Sequence, residues 1–260
     1  MVEHFFPGQL ARGVVECLIA AAATIAVMLL ARRRAPGLLK EISFAEVRGL
    51  LQIVAVGAIL AALLRGPAWT SIFALAGMIL AAASIVRKRA KQIPRAFGLA
   101  LIAIGAGAGA ILAVMTVTGV IPLKILTLVP VGSMVIANTM NTQSIFLDRL
   151  RGEVVAHVGE IESALALGAT SDAALERYLR AAFRASLIPA VDNIRSLGIV
   201  WIPGIMAGMV LSGASPLYAA LYQFVVLTTI FSSSALACYV ASHLVTGRIF
   251  SAHSQLLLRG

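Results

Sequence analysis

Apolar residues in this chain come in runs of roughly 20, long enough as helices to cross a bilayer core of about 30 Å. The pattern predicts spans at about residues 14–31, 45–64, 68–86, 96–117, 124–147, 196–211 and 217–245. Alternating short strands, the signature of a membrane barrel, are absent. The fold class is therefore all-α: a polytopic helical membrane protein with about seven transmembrane helices. No stretch between spans is large enough for a separate soluble domain, so residues 1–260 read as one transmembrane domain.

One long polar interval, residues 148–195, breaks this pattern. Of the 11 acidic residues, Asp148, Glu153, Glu160, Glu162, Asp172, Glu176 and Asp192 lie in it, interleaved with bases. It predicts a helix–turn–helix. The first helix, about 153–167, places Val154, Val158, Ile161 and Leu165 on one face. Gly168 suits the left-handed position just past a helix end. Thr170 or Ser171 can cap the second helix, and Asp172 in its first turn suits the helix dipole. There Leu175, Tyr178, Leu179, Ala182, Phe183 and Leu187 form a stripe, with Glu176, Arg177, Arg180 and Arg184 facing away.

Composition agrees with a membrane setting: 60% of residues are hydrophobic and 12% charged. The net charge of +10 comes from short clusters beside apolar runs, without interleaved aromatics, which argues against nucleic acid and for cytoplasmic retention. Arg32–Arg34, Lys40, Arg87–Arg89, Lys91, Arg95, Arg248 and Arg259 fall on one predicted side, and only Arg12, Arg65 and Lys124 on the other. The N-terminus is thus expected outside and the C-terminus inside. Cys17 and Cys238 lie in apolar runs without metal-ligand spacing, and His4, His157, His243 and His253 are scattered.

Some spans carry chemistry. Arg48 and Gln52 share a helical face near a membrane boundary. Gly105 and Gly109 have the spacing of a close helix contact. No GK[ST] sequence follows these glycines, so they are not a phosphate loop, and ATP hydrolysis is not expected on this chain. In the fifth span Asn138, Thr139, Asn141, Thr142, Gln143 and Ser144 are costly against lipid, so they should face the bundle or a hydrated path. Pro203-Gly204 should break or kink the next span.

The segment Glu162-Ser-Ala-Leu-Ala-Leu-Gly168, followed by a helix closing on Ile188-Pro189, resembles the cytoplasmic coupling loop of ABC-transporter membrane subunits. More specifically, residues 167–170, 184–192, Gly198, 203–208, 213–216 and Tyr222-Gln223, with Asn138-Thr139-Met140 and the Arg48 and Gln52 pair, resemble the FetB/YbbM family of permeases. Ala137 stands where that family usually has glycine, and Ser171 where proline is common. The resemblance implies a permease subunit of an ABC transporter, an integral protein of the plasma (inner) membrane. Bacterial members are linked to iron export, plant relatives to aluminium tolerance and sugar-nucleotide export. It implies a homodimer in membrane lipid, paired with a nucleotide-binding ATPase subunit that holds the ATP; no cofactor is expected on this chain. Glu162, Gly168, Arg177, Arg180 and Arg184 are then the coupling candidates. Asn138, Met140, Asn141, Gln143, Pro203, Gly204, Met206 and Gly208 are candidates for the substrate path, and metal ligands stay unassigned.

Two other classes fit less well. A gradient-driven transporter or channel usually needs buried acids, and only Glu16 and Glu46 come near, both at span boundaries. An intramembrane enzyme would have to use His243 with Ser232–Ser234, about three turns away on one helix.

Overall fold

The computed structural model describes residues 9–31, 37–63, 66–67, 69–250 and 256–258. Arg32–Arg34, Arg65, Arg259, His4 and His253 lie outside these. The chain divides into two compact units, Met1–Gly66 and Pro67–Gly260. Among the described residues the regular structure is helical throughout.

The first unit pairs α1 (Gln9–Ala31) with α2 (Leu38–Leu63). Most of their large apolar side chains, such as Leu18, Leu30, Val47 and Leu51, are exposed, as suits helices solvated by lipid. Arg12 Nε donates to Glu16 Oε1 one turn on, at 3.1 Å, so this carboxylate is partnered within its own helix.

The second unit contains α3 (Thr70–Arg89), α4 (Ala96–Ile104), a π-turn at Gly105–Gly109, α5 (Ala110–Val117), α6 (Ile125–Ala156), α7 (Val158–Ala166), α8 (Ser171–Ser196), α9 (Gly204–Leu211) and α10 (Pro216–Ile249). α6 is central and packs on α3, α8 and α10. Lipid tails are as apolar as leucine, so membrane helices gain little by hiding leucine from lipid; close van der Waals packing through small residues holds them. Accordingly Ala82, Ala83, Ala100, Ala103, Ala237 and Ala241 are buried at the contacts. A Cβ added to Gly132 would lie 2.6 Å from the Leu75 side chain, so glycine lets α6 meet α3.

Several expectations need correction. Among the described residues five stretches are long and apolar enough to cross a membrane: Ala11–Leu30, Thr70–Arg89, Ala96–Val117, Ile125–Ala156 and Pro216–Ile249. The expected span at 45–64 falls on α2, where the side chains of Ala58 and of residues 60–63 lie outside the described set. The expected span at 196–211 is not one helix. Gly198, at φ +74°, turns the chain, and Pro203 caps α9, whose eight residues reach only about 12 Å. The close-contact glycine is Gly107, not Gly105 or Gly109: its added Cβ would lie 2.5 Å from the Ser233 carbonyl and 2.6 Å from Ala237 Cβ. Nothing lies within 4 Å of the positions a Cβ would take at Gly105 and Gly109. Gly107 lies on the buried face with Ala100, Ala103 and Ile104, at helical intervals of seven, four and three.

Candidate functional site

The polar interval folds as expected at its turn and differently at its ends. α7 begins at Val158, because residues 153–156 form the last turn of α6 and His157 breaks the helix. Gly168 has φ +94°. The Gly168 N–H donates to the Leu165 carbonyl and the Ala169 N–H to the Ala164 carbonyl, both at 3.0 Å, a complete Schellman cap. Thr170 then caps α8, its hydroxyl accepting from the Ala173 N–H at 3.3 Å. The second helix does not close on Pro189 but runs on to Ser196.

Polar contacts tie this hairpin together. Tyr178 is buried on α8 and donates its hydroxyl to Glu160 Oε2 on α7 at 2.9 Å, while its ring stacks on His157 at 5.0 Å. Burial first, then the Glu160 carboxylate, raises the Tyr178 phenol above its ordinary value. The predicted stripe is the packed face, with Leu175, Tyr178, Leu179 and Ala182 all buried. On the outside, Glu162 is exposed. Arg177 reaches Glu160 at 3.9 Å and Arg180 donates to Glu176 at 2.6 Å. Arg180 and Arg184 also line a groove of about 620 Å³ between α8 and α10, opposite Tyr239 and His243.

The membrane part divides the predicted path. α6 buries Thr139, Thr142, Gln143 and Ser144 on its core side, whereas Asn141 is exposed, Asn138 and Met140 half-buried. The six polar side chains therefore do not share one face, because residues 138 and 143 diverge by more than a third of a turn. Asn138 donates to the Met134 carbonyl at 2.8 Å within its own helix. Gln143 is wholly buried, and neither end of its amide meets a partner. Pro203 is buried at the start of α9, Met206 is half-buried, and Gly204 and Gly208 are exposed. Among the described residues no three of His, Cys, Asp and Glu gather as a metal site.

The path candidates also omitted several residues that are buried and unpartnered as Gln143 is. Thr139 on α6 and Gln223, Ser233 and Ser234 on α10 are buried with side-chain polar atoms unpartnered. α6 and α10 pack on each other. Helical spacing held the signal. Gln223 lies on the same stripe as Val226, Leu227, Ile230, Ser234 and Ala237, at intervals of three and four. Each such polar group costs about 1–3 kcal/mol in a dry interior unless something hydrogen-bonds to it.

Three helix ends meet at one membrane face. Arg248, near the end of α10, donates through Nη1 to the Arg95 carbonyl between α3 and α4 at 3.0 Å. Arg89 of α3 shares a pocket with Asp148 and Arg149 of α6 and Pro189 of α8. The hairpin thus emerges on the face that also carries the Arg87–Arg95 cluster.

A helical membrane protein with a packed polar hairpin on one face and unpartnered amides and hydroxyls inside has the build of a permease. The profile of a family described as "Uncharacterised protein family (UPF0014)" matches residues 14–250, and the chain belongs to that family. It is similar to the "UPF0014 membrane protein YjkA" of Bacillus subtilis, with 32% identity over 85% of this chain and 88% of that protein. The "UPF0014 membrane protein STAR2" of Oryza sativa is 30% identical over 92% of this chain and 84% of its own length. The "Probable iron export permease protein FetB" of Escherichia coli is 29% identical over 90% and 91%. The resemblance to the FetB family read from the sequence therefore holds, and with it the assignment to membrane transport. No solved structure matches this chain.

Proposed function

We propose that this chain is the membrane-spanning subunit of an ABC exporter, driven by a separate ATPase subunit that grips residues 148–195. The observation that carries the reading is the α7–α8 hairpin. It is capped by Gly168 and Thr170, cross-tied through Tyr178 and Glu160, and joined to the 32-residue α6 at the His157 break, where the Tyr178 ring stacks on His157. Such a part can pass an applied motion into the membrane without absorbing it. Glu162, Arg177, Arg180 and Arg184 offer exposed charge for the ATPase, and ATP binds there and not on this chain. The hairpin face is cytoplasmic, with the N-terminus outside, in the inner membrane.

The transported solute passes along α6 and α10, contacting Gln143, Gln223 and the buried hydroxyls near them. A second copy of the chain covers the exposed Asn141 face of α6, since an amide facing lipid is costly. The name of the Escherichia coli relative makes a metal ion such as iron the first solute to test. The test is co-expression with a candidate ATPase, purification, and ATP-dependent export in vesicles. Gly168→Pro cannot adopt φ +94° and loses an N–H, so the ATPase should no longer co-purify. Gradient-driven transport by the chain alone would sink the reading in favour of a secondary transporter.

A further inference from the structure

α3 and the α4–α5 run are both long and apolar enough to cross a membrane, and only residues 90–95 join them, so this turn lies at a membrane surface. It is strongly basic. Arg87, Lys88, Lys91 and Arg95 line one pocket of about 870 Å³, and no carboxylate contributes to its wall. All four are exposed, and none forms an ion pair among the described residues. The floor is apolar and closed, with Ala90, Ile93 and Ala96 buried beneath the charges.

The turn is also held in shape. Arg95 sits at φ +55°, the one non-glycine residue in the left-handed region among the described residues. The Arg248 guanidinium that binds its carbonyl brings another positive charge to the same place. Simple retention on one side of a membrane requires positive charge anywhere along the loop. It does not require a floored pocket whose cations repel one another without a counter-charge.

The flank of the pocket identifies the anion. Ser84 lines it, and Leu80 and Phe73, about one and three turns back on the same face of α3, are exposed apolar side chains leading into the span. Charge at the surface with a continuous apolar track beside it matches an amphiphile, whereas a free phosphate would leave the track unused. We propose that the α3–α4 pocket binds the phosphate-bearing headgroup of an anionic phospholipid, with an acyl chain lying along α3. The proposal needs only that these helices span the membrane, and is independent of the ATPase and the solute.

The experiment is native mass spectrometry of the full chain in detergent, titrated separately with phosphatidylglycerol, phosphatidylcholine and inorganic phosphate. Four proteins are compared: the wild type, Arg87→Gln/Lys88→Gln/Lys91→Gln, Lys88→Arg/Lys91→Arg, and Arg177→Gln/Arg180→Gln/Arg184→Gln, which removes the same charge from α8 as the first variant removes from the pocket. The wild type and the α8 variant should prefer phosphatidylglycerol to phosphatidylcholine. The pocket variant should lose that preference by on the order of tenfold. Lys88→Arg/Lys91→Arg, which keeps the charge, should retain it. An equal fall in both triple variants, or no preference in the wild type, would overturn the site. Inorganic phosphate binding with no selectivity between the two lipids would overturn the lipid assignment.

Discussion

The α7–α8 hairpin and the α6–α10 interior are both rich in polar side chains, mostly exposed around the buried Tyr178 in the first and buried in the second, and they treat them differently. In the hairpin Thr170, Tyr178, Glu160 and Arg180 each have a partner within the hairpin. In the bundle Thr139, Gln143, Gln223, Ser233 and Ser234 have unpartnered polar atoms. Polar groups satisfied by neighbours fix one shape. Polar groups left with capacity are suited to meeting something that passes.

That contrast can be broken or sharpened by substitution. The largest effect is expected where the bundle has no spare volume. Gly107→Val would drive a side chain into the α10 backbone at Ser233 and should destabilise by about 3 kcal/mol or more, read as lost thermal stability in detergent. Next, Gln143→Leu has nearly the same volume and removes an unpartnered amide. It should leave thermal stability unchanged or raised while lowering transport about tenfold, the rate equivalent of about 1.4 kcal/mol. Unaltered transport would return Gln143 to a packing role and erase the contrast.

Tyr178→Phe tests the hairpin and should cost about 1 kcal/mol. The folded phenol is raised above its ordinary 10.0, so its contribution is complete below pH 10 and is lost as pH rises through the folded value. Stability curves of wild type and variant should therefore converge at alkaline pH. The smallest effect is expected on the outer surface: Glu176→Gln breaks an exposed pair with Arg180 and should shift stability by less than about 0.5 kcal/mol.

The parts of this molecule readable from sequence are those set by local chemistry. Gly168 and Thr170 mark the hairpin turn because a positive φ and a capped N-terminus are decisions of a few adjacent residues. The α8 stripe follows from helical period alone. What escaped reading depends on packing or on a short motif that points to the wrong residues. α8 continues through Pro189 as a helix packed against α6 and α10, which local sequence does not reveal. The Gly107 contact lies on the period of Ala100, Ala103 and Ile104, but the G-x-x-x-G spacing points to Gly105 and Gly109 and passes over it. The unpartnered side chains of α10 follow the period, but their lack of partners is visible only once the facing helices are in place.

α6 runs without a break from Ile125 to Ala156, a rod of about 48 Å. Pro130 withholds the one backbone donor missing from its interior and sits near the end remote from the hairpin. A push at His157 would therefore travel almost the full thickness of the membrane before meeting a compliant joint. Under the proposed coupling, the place along this shaft where a stroke would be turned into bending is Pro130, at the end remote from the hairpin.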